Sequence, residues 1–431
     1  GVDGLNYAYD VTLSADGNHA YVTGYVDSAV SWYERNASTG ALTYGGMLKD
    51  GVGGVDGLNG ARGVTLSADG KHAYVTGLSD DAVSWYERNA STGALTYGGM
   101  LKDGVGGVDG LDSARGVTLS SDGKYAYVVG KDDNAVSWYE RNASTGALTY
   151  GGMLKDGVNG VDGLDYPLGV TLSANGQHAY VTGFHDDAVS WYERNASTGA
   201  LTYGGTLKDG VGGVDGLDGA QGITLSADGN HAYVASSSDA AISWFERNAS
   251  TGALTYGGIL KDGVGGVDGL DGAQGVTLSA DDKFVYVTGA EDDAVSWYER
   301  NASTGALTYG GMLKDGVNGV DGLSWTRVVT LSDDGQHAYV TGQNDDAISW
   351  FERNASTGAL TYGGTLKDGV GGVDGLGSAV GVTLSADQNH AYVTGFEDDA
   401  VGWYERNAST GALTYGGMLK DGVNGVDGLG S

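Results

Sequence analysis

Apolar and small polar residues alternate along this chain in short runs, and the runs recur. In the second copy of the pattern, Gly63-Val-Thr-Leu-Ser67 sets Val64 and Leu66 on one side against Thr65 and Ser67 on the other. Period-two alternation over so few residues predicts a β-strand. Ala68-Asp-Gly70 follows as a turn, and His72-Ala-Tyr-Val-Thr-Gly77 comes next, so the pair predicts a tight hairpin. Ala82-Val-Ser-Trp-Tyr-Glu-Arg88, rich in aromatic and β-branched residues, predicts a third strand. Asn89-Ala-Ser-Thr-Gly93 reads as a turn, and Ala94-Leu-Thr-Tyr97 opens a fourth strand that runs toward Met100 and Leu101. No stretch carries helical periodicity of useful length.

The pattern has a fixed period. Trp falls at 32, 85, 138, 191, 244, 297, 350 and 403, always 53 apart, and Trp325 alone lies outside the series. ERNASTGALTYGG recurs unchanged from 34, 87, 140, 193, 246, 299, 352 and 405, and GVDGL opens each unit. The units are 1–53, 54–106, 107–159, 160–212, 213–265, 266–318, 319–371 and 372–424, with a tail at 425–431. Four antiparallel strands repeated eight times predict an all-β fold, an eight-bladed β-propeller forming a single domain. Both faces of each strand are mild rather than apolar against charged, which suits blades stacked face to face. A linear β-solenoid competes, but its rungs are usually much shorter. Each unit supplies its own four strands, so the ring closes without a shared strand. The ninth GVDGL, at 425–429, is expected to lie over the seam.

Composition narrows the partners. Glycine supplies 80 residues and proline one, so turns rest on Gly, Asn and Asp. Against 23 Lys and Arg stand 55 Asp and Glu, a formal net charge of −32, which repels nucleic acid and anionic membranes. Such a surface suits salty surroundings or the collection of cations. No apolar run approaches the roughly 20 residues of a membrane helix, so no membrane insertion is expected. Cysteine is absent, which removes disulfides and thiolate metal sites. The chain starts without Met and ends in Gly430-Ser431, and we read it as a segment of a longer protein, secreted or displayed at the cell surface. A monomer is expected.

Tyr21-Val-Thr-Gly24, Tyr74-Val-Thr-Gly77 and Tyr180-Val-Thr-Gly183 each follow a Ser-Ala-Asp-Gly or Ser-Ala-Asn-Gly turn. They resemble the YVTN-type propeller repeat. The fuller pattern is similar, over the whole chain, to repeats of bacterial proteins grouped with lactonase-like propellers. The resemblance implies a propeller, and for characterised lactonases of that superfamily it implies seven blades and a polar site near the central channel. None of their catalytic positions maps onto this sequence, and the eighth blade departs from them.

Residues present in every unit read as frame. Trp32 and its copies are expected in the core. Glu34 and Arg35 are expected to form inter-blade or surface ion pairs contributing roughly 0–1 kcal/mol each. Asn36-Ala-Ser38 matches a glycosylation sequon, which we read as unused. The histidines at 19, 72, 178, 231, 337 and 390 fall one to a blade, too far apart to share a metal, and read as structural.

Function is sought where the copies disagree. The differences gather just before strand one and just after strand two, two loops that antiparallel pairing places at one end of the blade. Tyr7, Tyr9, Arg62, Arg115, Tyr166, Trp325 and Arg327 stand in the first loop; Tyr25, Phe184, His185, Glu291, Phe396 and Glu397 stand in the second. Aromatic, Arg and His residues in such positions predict a binding face for a glycan or protein partner. Asp27 and its copies, with Asp3 and Asp50 between blades, are candidate Ca²⁺ ligands, although Asp before Gly is ordinary turn chemistry. The main expectation is therefore a non-enzymatic binding scaffold with no catalytic residue. One alternative is a lactonase-like hydrolase at the channel mouth, with His185, Glu291, Arg327 and Glu397 as the symmetry-breaking candidates. Another is an amplified or engineered ring without a ligand.

Overall fold

The computed structural model describes residues 1–423. These fold into eight four-stranded antiparallel sheets, each built from consecutive strands in chain order, and no helix occurs among the described residues. In the second blade the strands are Ala61–Leu66, His72–Gly77, Ala82–Arg88 and Leu95–Lys102. The second and third keep their predicted limits; the first begins earlier than the alternation suggested. First strands of neighbouring blades touch around the central axis, and fourth strands lie at the rim. The eight-bladed propeller is the observed architecture.

Burial explains the mild strand faces. The second strand is buried at every position in all eight blades. The core is divided into eight clusters, each lying between two blades. One joins Tyr21, Val30 and Trp32 of the first blade to Leu58, Val75 and Tyr86 of the second. The paired glycines of every TYGG segment are the bed for the indole: a Cβ on Gly46, at φ +147°, would stand 2.5 Å from the Trp32 ring. In ERNASTG the Asn36 side chain accepts from the amides of Ser38 and Thr39, so this residue shapes the turn.

Arg35 takes the inter-blade of the two expected places: it is 5% exposed, whereas Glu34 is exposed. Its equivalent Arg88 donates through Nε to Tyr21 Oη (2.5 Å), through Nη1 to the Gly70 carbonyl (2.9 Å) and through Nη2 to His19 Nδ1 (2.9 Å), with Asp16 at 3.3 Å. Tyr21 Oη in turn donates to the Gly93 carbonyl of the next blade. Each such guanidinium thus pins its own turn and the neighbouring blade. Burial first, then the adjacent Arg88 cation, lower the His19 pKa, so the ring is neutral and accepts at Nδ1. The histidines are structural, as expected.

The seam uses the same parts. Arg35 reaches back to Tyr392 (2.5 Å), His390 (2.8 Å) and Asp387 (3.1 Å) of the last blade, and Tyr392 Oη donates to the Gly40 carbonyl. No strand is exchanged, as predicted from the phase of the repeat. The proposed seam cover at 425–429 lies outside the described residues.

Candidate active site

Every first strand carries an irregularity at the same place. In the first blade Ala8 pairs with Gly24 and Val11 with Val22, so Tyr9 and Asp10 share the space of one residue in a bulge. The same break falls at Arg62-Gly63 in the second blade and at Arg327-Val328 in the seventh. A bulge re-aims side chains, and here it directs them at the central channel. The second bulge residue is Gly63, Gly116, Gly169, Gly222, Gly275 or Gly381 in six blades, Val328 in the seventh and Asp10 in the first. A Cβ on Gly116 or Gly169 would meet nothing within 4 Å, so the channel wall there is bare backbone.

A cavity of about 320 Å³ opens at this level. Its walls include Tyr9, Asp10, Arg62, Arg115, Gln274 and Arg327. Asp10 is the one carboxylate in this lining. Its Oδ2 accepts from the Val64 amide at 3.0 Å, and burial deep in the ring raises its pKa in spite of that bond. Three guanidiniums from different blades line the same cavity. Arg62 bonds Tyr9 Oη and lies 4.5 Å over the Tyr9 ring. Arg327 is held by Gln343 through Nε (2.5 Å) and by Gln274 (3.4 Å). Arg115 lies 5.2 Å from the Tyr166 ring, and its buried Nε has no hydrogen-bond partner among the described residues. Burial, then the Arg62 charge, lower the Arg115 pKa; burial also lowers that of Arg327. One carboxylate and three guanidiniums on a single cavity, in a protein of charge −32, make a local reversal of sign suited to charge development.

The structure sorts the predicted residues. Tyr9, Arg62, Arg115 and Arg327 meet in this cavity. Tyr25 and Phe396 join Tyr9 on an adjoining one, and Tyr7 stacks on Phe396 with centroids 4.3 Å apart. Tyr166, Phe184 and His185 form a second aromatic group, with Tyr166 and His185 4.4 Å apart. His185 is more than half exposed beside Asp165, and Glu291 and Glu397 are exposed. They stand apart from one another and outside this cavity. Tyr7, Tyr166 and Trp325 share one unit position in left-handed backbone, φ +55°, +58° and +56°, where Gly60, Gly219 and Gly272 stand in other blades. Asp293 holds Trp325 there by accepting its amide at 2.7 Å.

The acids named as candidate Ca²⁺ ligands are engaged in the turns. Asp27 accepts the amides of Gly4 (3.1 Å) and Asn6 (3.0 Å) on one oxygen and Lys49 Nζ (3.0 Å) on the other. Asp3 and Asp421 complete its cluster; Asp50 lies one joint away with Asp56 and Asp80. Hydrogen bonding and the charges of Asp27, Asp3 and Asp421 raise the Lys49 pKa, so each cluster carries its own ammonium. Three carboxylates already engaged in this way fall short of the six to eight oxygens Ca²⁺ takes.

These joints set a pH dependence. Burial, reinforced by Asp27 and Asp3 and opposed by the Leu5 amide, pushes Asp421 up to about 6. Burial likewise raises Asp50 and its copies. A carboxyl with a raised folded pKa contributes stability at low pH that is lost as pH climbs through that value. Asp80 has the opposite sign: against burial, the Asn59 amide and Lys102 hold it low, and its contribution disappears below the ordinary carboxylate range. Asp421→Asn is therefore expected to raise the melting temperature near pH 8 more than near pH 5, whereas the buried histidines, whose lowered pKa contributes stability that is lost as pH falls, act on both proteins alike. Thermal melts of the two proteins at both pH values check it; an equal or smaller gain near pH 8 would contradict the sign.

The family model described as lactonase, 7-bladed beta-propeller, matches residues 10–155, 167–312 and 214–373. The last two spans overlap because the repeats let it register more than once. No curated protein matches the chain. A periplasmic gluconolactonase of Pseudomonas aeruginosa is similar in structure, with TM-score 0.58 and 18% identity over 79% of this chain and 92% of that one. A candidate 6-phosphogluconolactonase of Bacteroides uniformis gives 0.56 and 17%, over 77% and 90%. Sqt1 of Chaetomium thermophilum gives 0.69 at 12%, over 93% and 97%. At these identities the structural likeness carries the fold. The family match overturns the expectation of a non-enzymatic scaffold, whose basis was the variable loops; the polar centre lies on the first-strand bulges. The chain belongs to the lactonase, 7-bladed beta-propeller family, with an eighth blade added to that family's seven.

Proposed function

We propose that the protein hydrolyses the lactone of a sugar acid in the channel mouth. The observation that carries this reading is Asp10, the single channel-wall carboxylate, set among Arg62, Arg115 and Arg327 in a chain of the lactonase family. The names of two structural neighbours, gluconolactonase and 6-phosphogluconolactonase, support the substrate class. Water adds to the lactone carbonyl carbon as Asp10 takes its proton. The carbonyl oxygen gains the negative charge, and the guanidiniums, already desolvated, stabilise it. Collapse of the tetrahedral intermediate breaks the bond to the ring oxygen, which takes the proton back from Asp10. The product is the open hydroxy acid, its carboxylate facing the same arginines.

The full chain with glucono-δ-lactone, followed by acid release in a pH-stat, tests this. Hydrolysis above the spontaneous rate is expected. Gly116→Leu should block it, because the new side chain enters open channel and leaves the melting temperature unchanged. Activity that survives Gly116→Leu places the chemistry elsewhere, and no acceleration with any of a panel of sugar lactones overturns the reading.

A further inference from the structure

Above the three-arginine cavity lies a second one, of about 260 Å³. The two share Tyr9, Arg62 and Arg115. The remaining walls are Tyr25, Leu78, Lys131 and Phe396, which are one and the same unit position, the residue after strand two, in four consecutive blades around the seam. The side chains therefore stand in two tiers on one arc of the ring, the lower tier on the bulges and the upper on the loops, with Asp10 next to the lower.

The upper cavity has two kinds of wall. Tyr25, Phe396 and Leu78 offer apolar surface, and Tyr7 backs Phe396 in a stack. Opposite them, Arg62, Arg115 and Lys131 are donors only. An alkyl or flat aromatic occupant offers those donors no acceptor, and the buried Arg115 Nε has none among the described residues. A free anion is poorly matched as well, since Lys131 is already paired with Asp132 at 3.1 Å. A ring with a C–H face and an edge of hydroxyl acceptors satisfies both walls, and that is the chemistry of a pyranose. From these observations we infer that the protein acts on lactones of disaccharide acids: the lactone ring occupies the lower cavity, and a second sugar ring, linked to it, occupies the upper one against Tyr25 and Phe396.

This inference rests on the hydrolase reading above, and the test separates the two. Initial rates are compared for glucono-δ-lactone and for the δ-lactones of cellobionic and lactobionic acid, with the unsubstituted protein and with Phe396→Ala and Tyr25→Ala. The disaccharide lactones should show the higher kcat/KM. Each substitution should lower kcat/KM for them by about tenfold, the loss of one stacked aromatic, while glucono-δ-lactone is unaffected. Equal kcat/KM for one and two rings, or equal losses on both in the variants, overturns the second-ring site and leaves the hydrolase standing. Absence of hydrolysis with every lactone overturns both. Should Phe396→Ala melt early through loss of its Tyr7 stack, Tyr25→Ala gives the same selective readout from another blade.

Discussion

Asp10→Asn is expected to lower kcat for sugar-lactone hydrolysis by roughly 10²–10⁴-fold, the usual contribution of a positioned general base. The amide keeps the shape of the carboxylate and still accepts from the Val64 amide, so the melting temperature should stay within a degree or so of the parent's. What it loses is the capacity to take the proton of the attacking water. The unsubstituted protein should show an acid limb in its pH–rate profile, because the base works only when ionised. That limb should lie above the ordinary carboxylate range, since burial raises the Asp10 pKa. The limb should vanish in Asp10→Asn. A variant with near-parental kcat, or a limb that persists, would remove Asp10 from the reaction.

The second large effect concerns the frame. Arg141→Ala is expected to destabilise the ring by about 3–5 kcal/mol, the cost of removing one partner from a buried charged network. Its Nε donates to Tyr74, its Nη1 to the Gly123 carbonyl and its Nη2 to His72, with Asp69 at 3.4 Å; all of these would lose a donor at a joint. A surface pair would have cost far less and would have been screened by salt. Arg35→Ala should cost about as much, since the seam carries the same bonds. Denaturant unfolding of the two variants at low and high salt measures both statements. A loss below about 1 kcal/mol, or a strong salt dependence, would return these arginines to the surface-pair class.

Much of this fold is written in the period. A 53-residue repeat with four alternating runs leaves few architectures, and the strand limits follow from where Gly77 and Arg88 end their runs. The seam without an exchanged strand follows from the phase of the repeat. An inter-blade place for Arg35 was among the two expected; which one holds was not legible, because sequence shows a charge next to Glu34 but not that the neighbouring blade covers it. The candidate site was half legible. Tyr9, Arg62, Arg115 and Arg327 stood out because they vary among copies. Asp10 sits beside them at a position that is glycine in six units, so a column comparison one residue further would have shown it. What no column shows is the bulge: plain alternation puts Tyr9 and Asp10 on opposite faces, and only the register break brings both to the channel. Nor does sequence give depth along the axis, which decides that His185, Glu291 and Glu397 stand in solvent.

The bare channel wall has a consequence for how such a ring acquires chemistry. Eight blades present eight equivalent bulges, and at six of them the second bulge residue is glycine. At Gly116 and Gly169, where a Cβ meets nothing within 4 Å, a single codon change adds one side chain to a shared interior while the interblade cores, the indole beds and the arginine joints stay as they were. Innovation and stability are thereby uncoupled: the ring can try a carboxylate at one address and an aliphatic plug at another, as Asp10 and Val328 already do, with the remaining addresses still blank.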